Sequence, residues 1–270
     1  MTRIVQLDLF GDRPHLGGTM DGGFGGKTVE PERLSDVELI SIIPDATPAD
    51  ANAIAAEVGK RRLVAAVPAL ASLCDRFAGY GAGAPVPEQS AALDALRGVG
   101  GPEAARVVLR LIEKKIVQGP TLAIALTVAS EIGVVLPNDL ALSLLRDPIP
   151  SVRAAACSCV RSGYGVITTL AAMLDDPDGD IAISSACALG RMGRNEALAH
   201  LKRHLFERPS PRVVEALARV ADDEAVVFLA RIARSRRELT DWVISALEEI
   251  ESPRALNALV TLRKFSLEAK

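Results

Sequence analysis

Apolar residues in this chain recur three and four positions apart, in blocks of roughly ten that begin near residue 49 and stop at Asp, Pro or Gly. That spacing lays one apolar stripe along one face of an α-helix and leaves no period-two pattern for strands. Proline at the breaks fixes φ and lacks an N–H, so each break ends one helix and opens the next. The blocks come in pairs. The clearest pair is DDPDGDIAISSACALGRMGRNEALAHLKRHL at 175–205. RDPIPSVRAAACSCVRSGYGVITTLAAML (146–174) precedes it, and ERPSPRVVEALARVADDEAVVFLARI (207–232) follows. Weaker copies lie at 49–73, 88–112, 121–145 and 239–262. About seven helix pairs are predicted, repeating at roughly 30 residues.

A two-helix unit of this size cannot bury its apolar faces alone, so each pair must stack on its neighbours as a solenoid. Small residues in the first helix of each pair permit close approach, and Leu and Val of the second fill the core. The stretch D-P-x-x-x-[VI]-[RA]-x-x-[AS]-[AC]-x-[AC]-[LV], followed by G-x-x-x-A-L-x-x-L, resembles the short HEAT-like repeats of bacterial α-solenoids, of the bilin-lyase type. The resemblance covers most of the chain and implies an all-α fold: a right-handed α-solenoid of about seven HEAT-like hairpins over residues 34–270. Residues 1–33 read as a flexible Gly-rich tail. The fold implied is specific, but the function is not.

Within the repeats, the Gly/Pro-rich stretch in residues 74–90 is expected to be a surface loop, with a hinge or binding loop as the other reading. At the end, Arg263, Lys264, Glu268 and Lys270 are expected to cover the last apolar face.

Composition sharpens the fold class. Hydrophobic residues are 49% of the 270, yet aromatics only 3%, so the core must be built from Ala, Leu, Val and Ile. Close-packed helices manage this more readily than a sandwich or barrel. A net charge of −3 offers no global field for nucleic acid or anionic lipid. The longest apolar run, Leu122 to Leu136, contains Glu131 and Gly133 and is too short to cross a bilayer, and the N-terminus lacks the apolar segment of a secretory signal. A cytoplasmic location without membrane contact is expected. Cys74, Cys157, Cys159 and Cys187 form no metal-binding pair and read as small, buried, reduced residues; Cys157 and Cys159 fall two apart on an expected helix, on different faces.

Candidate chemistry is sparse, and no catalytic residue, cofactor or metal site is assigned. His200 and His204 stand four apart on one helix face, but the intervening Leu-Lys-Arg supplies no third ligand and would repel a cation; a solvated face is expected. GGTMDGGFGGKT (17–28) approaches a phosphate-binding loop, but Asp21 replaces the first required glycine and Pro31 stands where the helix should begin. A flexible linker is the better reading. Among HEAT-like enzymes, the alkylpurine DNA glycosylases hold their lesion with aromatics, an Asp and basic residues on a concave helical face. Here the repeats offer only Trp242 beside Asp241, and Trp242 is expected to fill core space. Bilin lyases share the short repeat, without any residue here that singles out bilin attachment. The iron-binding hydroxylases of this fold carry repeated His-Glu pairs that this chain lacks.

Two features point to partners. Lys202, Arg203, Arg231, Arg234, Arg236, Arg237, Arg263 and Lys264 gather near the ends of second helices, a candidate ridge for phosphate, including DNA, or for an acidic partner. The plainer alternative is that cations favour helix C-termini and solubilise the surface. Ahead of the repeats, QLDLF closely resembles the peptide with which bacterial polymerases and repair proteins hold the replication sliding clamp, whose consensus runs Gln-Leu-[Ser/Asp]-Leu-Phe. The resemblance implies that Gln6 occupies a polar subsite, that Leu9 and Phe10 enter an apolar pocket, and that Leu7 and Asp8 shape the extended backbone. The same apolar residues could instead cap the first hairpin. Together these readings make the chain a protein-interaction scaffold that takes a protein partner on its concave face, with a DNA-repair protein or a bilin-lyase subunit as alternatives.

Overall fold

The structure, a computed structural model, describes residues 30–268. Among them are fifteen α-helices and no strand. Proline starts many of them. Pro48, Pro87, Pro150, Pro211 and Pro253 are first helical residues, where a missing N–H costs nothing and the fixed φ already suits a helix. Side-chain caps satisfy other free N–H groups: Thr47 accepts from Asp50, Asp178 from Asp180 and Asp222 from Ala225.

The helices pair along the chain. After α1 (Asp36–Ile42) come α2 (Pro48–Arg61) with α3 (Val67–Arg76), and α4 (Pro87–Val99) with α5 (Gly101–Glu113). Next are α6 (Gly119–Glu131) with α7 (Asn138–Leu144), and α8 (Pro150–Ala156) with α9 (Tyr164–Ala172). The last pairs are α10 (Gly179–Arg191) with α11 (Leu198–Glu207), α12 (Pro211–Ala218) with α13 (Asp223–Ser235), and α14 (Thr240–Glu248) with α15 (Pro253–Glu268). Each even-numbered helix packs on the next even one, from α2 through α14. Behind them α3 meets α5, α7 meets α9, α11 meets α13 and α13 meets α15. Two layers of helices thus share one core that runs from Leu39 to Leu262.

That core contains no buried aromatic residue among those described; Leu, Val, Ile and Ala dominate it, as the composition requires. Leu93, Leu126, Leu170 and Leu189 are fully inaccessible, each worth about 2 kcal/mol of transfer free energy. Cys74, Cys157, Cys159 and Cys187 are buried and unpaired. Burial pushes the thiols of Cys74, Cys157 and Cys159 up to about 12, which keeps them protonated. The helix expected to carry Cys157 and Cys159 is shorter than the pattern suggested. It ends at Ala156, and Cys159 lies beyond it, its thiol donating to the Leu126 carbonyl at 3.0 Å.

The start of the described chain is tied down by one side chain. Arg61, at the end of α2, donates to the Pro31, Glu32 and Leu34 carbonyls and to the carboxylates of Asp36 and Glu57. Pro31 is buried, and α1, which the repeat pattern does not foretell, follows under a Ser35–Glu38 capping box. The Gly/Pro-rich segment after α3 is a surface loop seated on α6. The Val86 N–H donates to the buried Thr121 hydroxyl at 2.9 Å. Gly119, at φ +55°, lies so close that a Cβ there would stand 2.2 Å from the Gly81 carbonyl oxygen. Only glycine fits both the conformation and the contact.

Candidate functional site

The even-numbered helices present short side chains outward, and this leaves a trough. Ala123, Thr127 and Ser130 of α6 face Ser151, Ala154 and Ala155 of α8, with Ser184 of α10 beyond them, around a cavity of about 1070 Å³. Helices whose outward residues are Ala and Ser cannot fill the space between neighbouring ridges, so the groove follows from composition. It continues at either end. Asn52, Gly59, Asp94 and Arg97 border a hollow between α2 and α4, and Glu215, Arg219, Trp242 and Glu249 border another towards α14.

Two arginines, from α10 and α12, reach the trough and grip the same turn. Arg191, at the end of α10, donates to the Cys157 carbonyl at 3.1 Å. Arg212, in the first turn of α12, donates to the Ser158 hydroxyl at 2.9 Å. Ser130 of α6 donates to the carbonyl of that same Ser158 at 3.4 Å. Burial holds the Arg191 pKa below the usual guanidinium value, and the nearby Arg212 charge adds to the effect. Neither arginine has a carboxylate within ion-pair distance among the described residues. Two of the lining carboxylates are already engaged: Glu131 with Arg97 at 3.6 Å and Asp180 with Arg208 at 2.9 Å.

Residues singled out from the sequence are distributed differently. Gln6, Leu7, Asp8, Leu9 and Phe10 lie outside the described residues, as does the glycine-rich 17–28 stretch. Of the basic residues, Lys202 is paired with Asp222 at 2.8 Å and Glu224 at 2.6 Å, and Arg263 is paired with Glu248. Lys202 and Arg203 border one hollow, and Arg231 and Arg236 an adjoining one; both hollows include the Phe206 and Phe228 rings. Arg234, Arg237 and Lys264 are exposed and border neither hollow. Phe206, 76% exposed, carries no pattern that would have drawn attention to it.

Two expectations are overturned. Trp242 does not fill the core; it is 46% exposed and faces the α14 end of the trough, while Val243, Ala246 and Leu247 turn inward. His204 is not on a solvated face, for it is 5% exposed on the stripe formed with Ala197, Leu201 and Leu205. That spacing of i, i+4, i+7 and i+8 was legible in the sequence. Its Nε2 has no hydrogen-bond partner, and burial first, then the Arg203 charge, lowers its pKa. The unfolded chain therefore binds the proton more readily, and stability is lost as pH falls through the unfolded value of about 6.5. Thermal melts at pH 7.5 and 5.5 are expected to show a smaller acid-side drop for His204→Leu than for wild type.

No group of three or more His, Cys, Asp and Glu among the described residues is placed to hold a metal ion, and no described helix is long and apolar enough to cross a membrane. No curated protein matches the chain. Residues 138–216, from the start of α7 into α12, match the family model of HEAT repeats, and helices paired in the same way continue on either side of that stretch.

Proposed function

We propose that the chain is a non-catalytic protein-interaction scaffold. In this reading it is a right-handed solenoid of about seven HEAT-like hairpins that takes a segment of a protein partner along the even-numbered helices. The observation that carries it is the trough across α6, α8, α10 and α12, an extended surface lined mainly by small and hydroxyl-bearing side chains, with four acids and two arginines among them. Stacked repeats commonly bind partners along such an extended surface, because each repeat adds a similar strip of contact. Position-specific crosslinking tests this. A photo-reactive phenylalanine analogue at Thr127 or Ser151 is expected to yield discrete protein adducts in cells, and the same group at exposed Val260 of α15 is not. Equal labelling at all three positions would count against the trough.

A tether to the bacterial sliding clamp through Gln6–Phe10 is supported by the five-residue match to the clamp-binding consensus. Its apolar anchors stand next to Gly11 and ahead of a glycine-rich stretch, a composition suited to an extended peptide on a linker. Purified clamp is expected to bind the full chain, and Leu9→Ala/Phe10→Ala to weaken binding about a hundredfold, as loss of buried anchors does. Equal capture by both proteins, or none by either, would sink the tether. The DNA-repair reading draws on the same basic residues as the ridge, and two of these, Lys202 and Arg263, are spent on carboxylates of the chain itself. Binding to duplex that hardly changes with salt would remove it.

A further inference from the structure

Arg191 and Arg212 approach one another inside a groove, without an acid of this chain within ion-pair reach among the described residues. Other arginines without a carboxylate partner, such as Arg62, Arg161 and Arg234, stand singly on the surface, whereas these two hold adjacent residues of one turn and lie close enough for one charge to act on the other. Two like charges held close and partly desolvated are destabilising, and a chain tolerates such a pair where a bound anion relieves it. Each guanidinium uses one N–H in the bonds described above, and leaves several in its planar fork for a ligand.

The surroundings select the anion. Glu131, Asp178, Asp180 and Glu215 also line the trough. A polyphosphate backbone laid along it would set many negative charges against four carboxylates, whereas a single carboxylate between the two arginines brings only one. Thr127, Ser130, Ser151 and Ser184 offer hydroxyl groups to the flanks of that position. The length fits a peptide: four helices spaced about 10 Å apart span about 30 Å, or about nine extended residues.

We propose that the trough across α6 to α12 binds an extended peptide segment of a protein partner that carries one isolated Asp or Glu, whose carboxylate is clamped by Arg191 and Arg212. The proposal rests on the scaffold reading and names the chemistry that its trough recognises. Both arms are open to the groove, Arg212 held by the Ser158 hydroxyl and Arg191 by the Cys157 carbonyl just after α8. Glu215 stands in the same lining without an ion-pair partner among the described residues, and opposes the incoming carboxylate.

The test uses the full-length protein and a displayed library of random nine-residue peptides. Wild type is expected to enrich sequences with one Asp or Glu at a fixed register. Arg191→Gln/Arg212→Gln is expected to lose that enrichment while keeping its circular-dichroism spectrum and melting temperature. For the leading peptide, replacing its acid by the amide should cost at least about tenfold in affinity, and the arginine variant should cost about the same. The two changes combined should cost little more than either, because they remove one shared interaction. Glu215→Gln leaves both arginines in place and should tighten the acidic peptide by about threefold, so an answer remains even if the double variant fails to fold. Additive losses, leading peptides without an acid, or strings of acids that bind best would each overturn the carboxylate assignment. If neutral peptides bind and block crosslinking at Thr127, the scaffold reading stands and this inference falls. If no peptide reaches the trough, both fall.

Discussion

Gly98→Val is expected to lower the stability of the first hairpins by about 2–4 kcal/mol, the cost of forcing a branched side chain into a closed contact. Gly98 of α4 lies against Gly59 of α2, and a Cβ at Gly98 would stand 2.8 Å from the Gly59 Cα and 3.2 Å from its carbonyl. These are backbone atoms, so no rotamer change relieves the clash, and two helices packed along most of their length must separate. Valine is also stiff at χ1 in a helix and cannot turn aside. Alanine at the same site should cost less, since it gains up to about 1 kcal/mol of helix propensity over glycine against the smaller clash. Gly83, where a Cβ meets nothing within 4 Å, is the control, and its change to alanine should stay within about 0.5 kcal/mol. Urea melts give the magnitude. Hydrogen exchange gives the location: protection should fall in α2 and α4 and persist in α12 to α15, because each repeat touches only its neighbours. A Gly98→Val protein as stable as wild type would mean that α2 and α4 are not in contact at this point.

A second large effect is expected at Gln89. Its side chain is fully buried in α4, and its amide nitrogen donates to the carbonyls of Cys74 and Phe77, at the end of α3, and of Ile116, just after α5. The Cys74 and Phe77 carbonyls also accept from the N–H groups of Phe77 and Tyr80, so the amide adds a second bond at the end of α3 and ties it to the Ile116 carbonyl after α5. The Gln89 carbonyl oxygen has no hydrogen-bond partner among the described residues. Gln89→Leu removes the donor, leaves the acceptors buried, and should cost about 2–3 kcal/mol. Gln89→Glu keeps the shape but points a carboxylate at three carbonyl oxygens. Its folded pKa would then lie above the unfolded value of about 4.3, so the variant's stability relative to wild type should be greatest below that pH and be lost as pH rises. Melts of wild type and both variants at pH 4 and pH 7 check this. A Gln89→Glu variant that is no worse at pH 7 than at pH 4 would refute the donor role.

Much of this architecture could be read directly from the chain. The prolines at Pro48, Pro87, Pro150, Pro211 and Pro253, the Asp caps and the paired apolar stripes act within a few residues of themselves, so they specify helices and breaks before any neighbour is present. The near-absence of aromatics likewise announces a core of Leu, Val, Ile and Ala. The failures have local causes. α10 is buried along nearly all of Ile181–Gly190, so its pattern holds no single apolar face from which to predict where Arg191 points. Trp242 follows Thr240 and precedes Val243, both buried, and one residue is a rotation of about 100°, enough to carry an indole from the core to the groove.

By itself, then, the sequence determined a helical repeat, where many of its helices start, and what its core is made of, because those depend on local propensity and on composition. Only the tertiary structure decided that Arg191 and Arg212, twenty-one positions apart on different hairpins, grip the turn that follows α8, that Phe206 is exposed, and that one glutamine bridges two helix ends. Such placements depend on how each helix is rotated against its neighbours. That rotation is set by packing at contacts such as Gly59 against Gly98, which no pattern within a single repeat encodes.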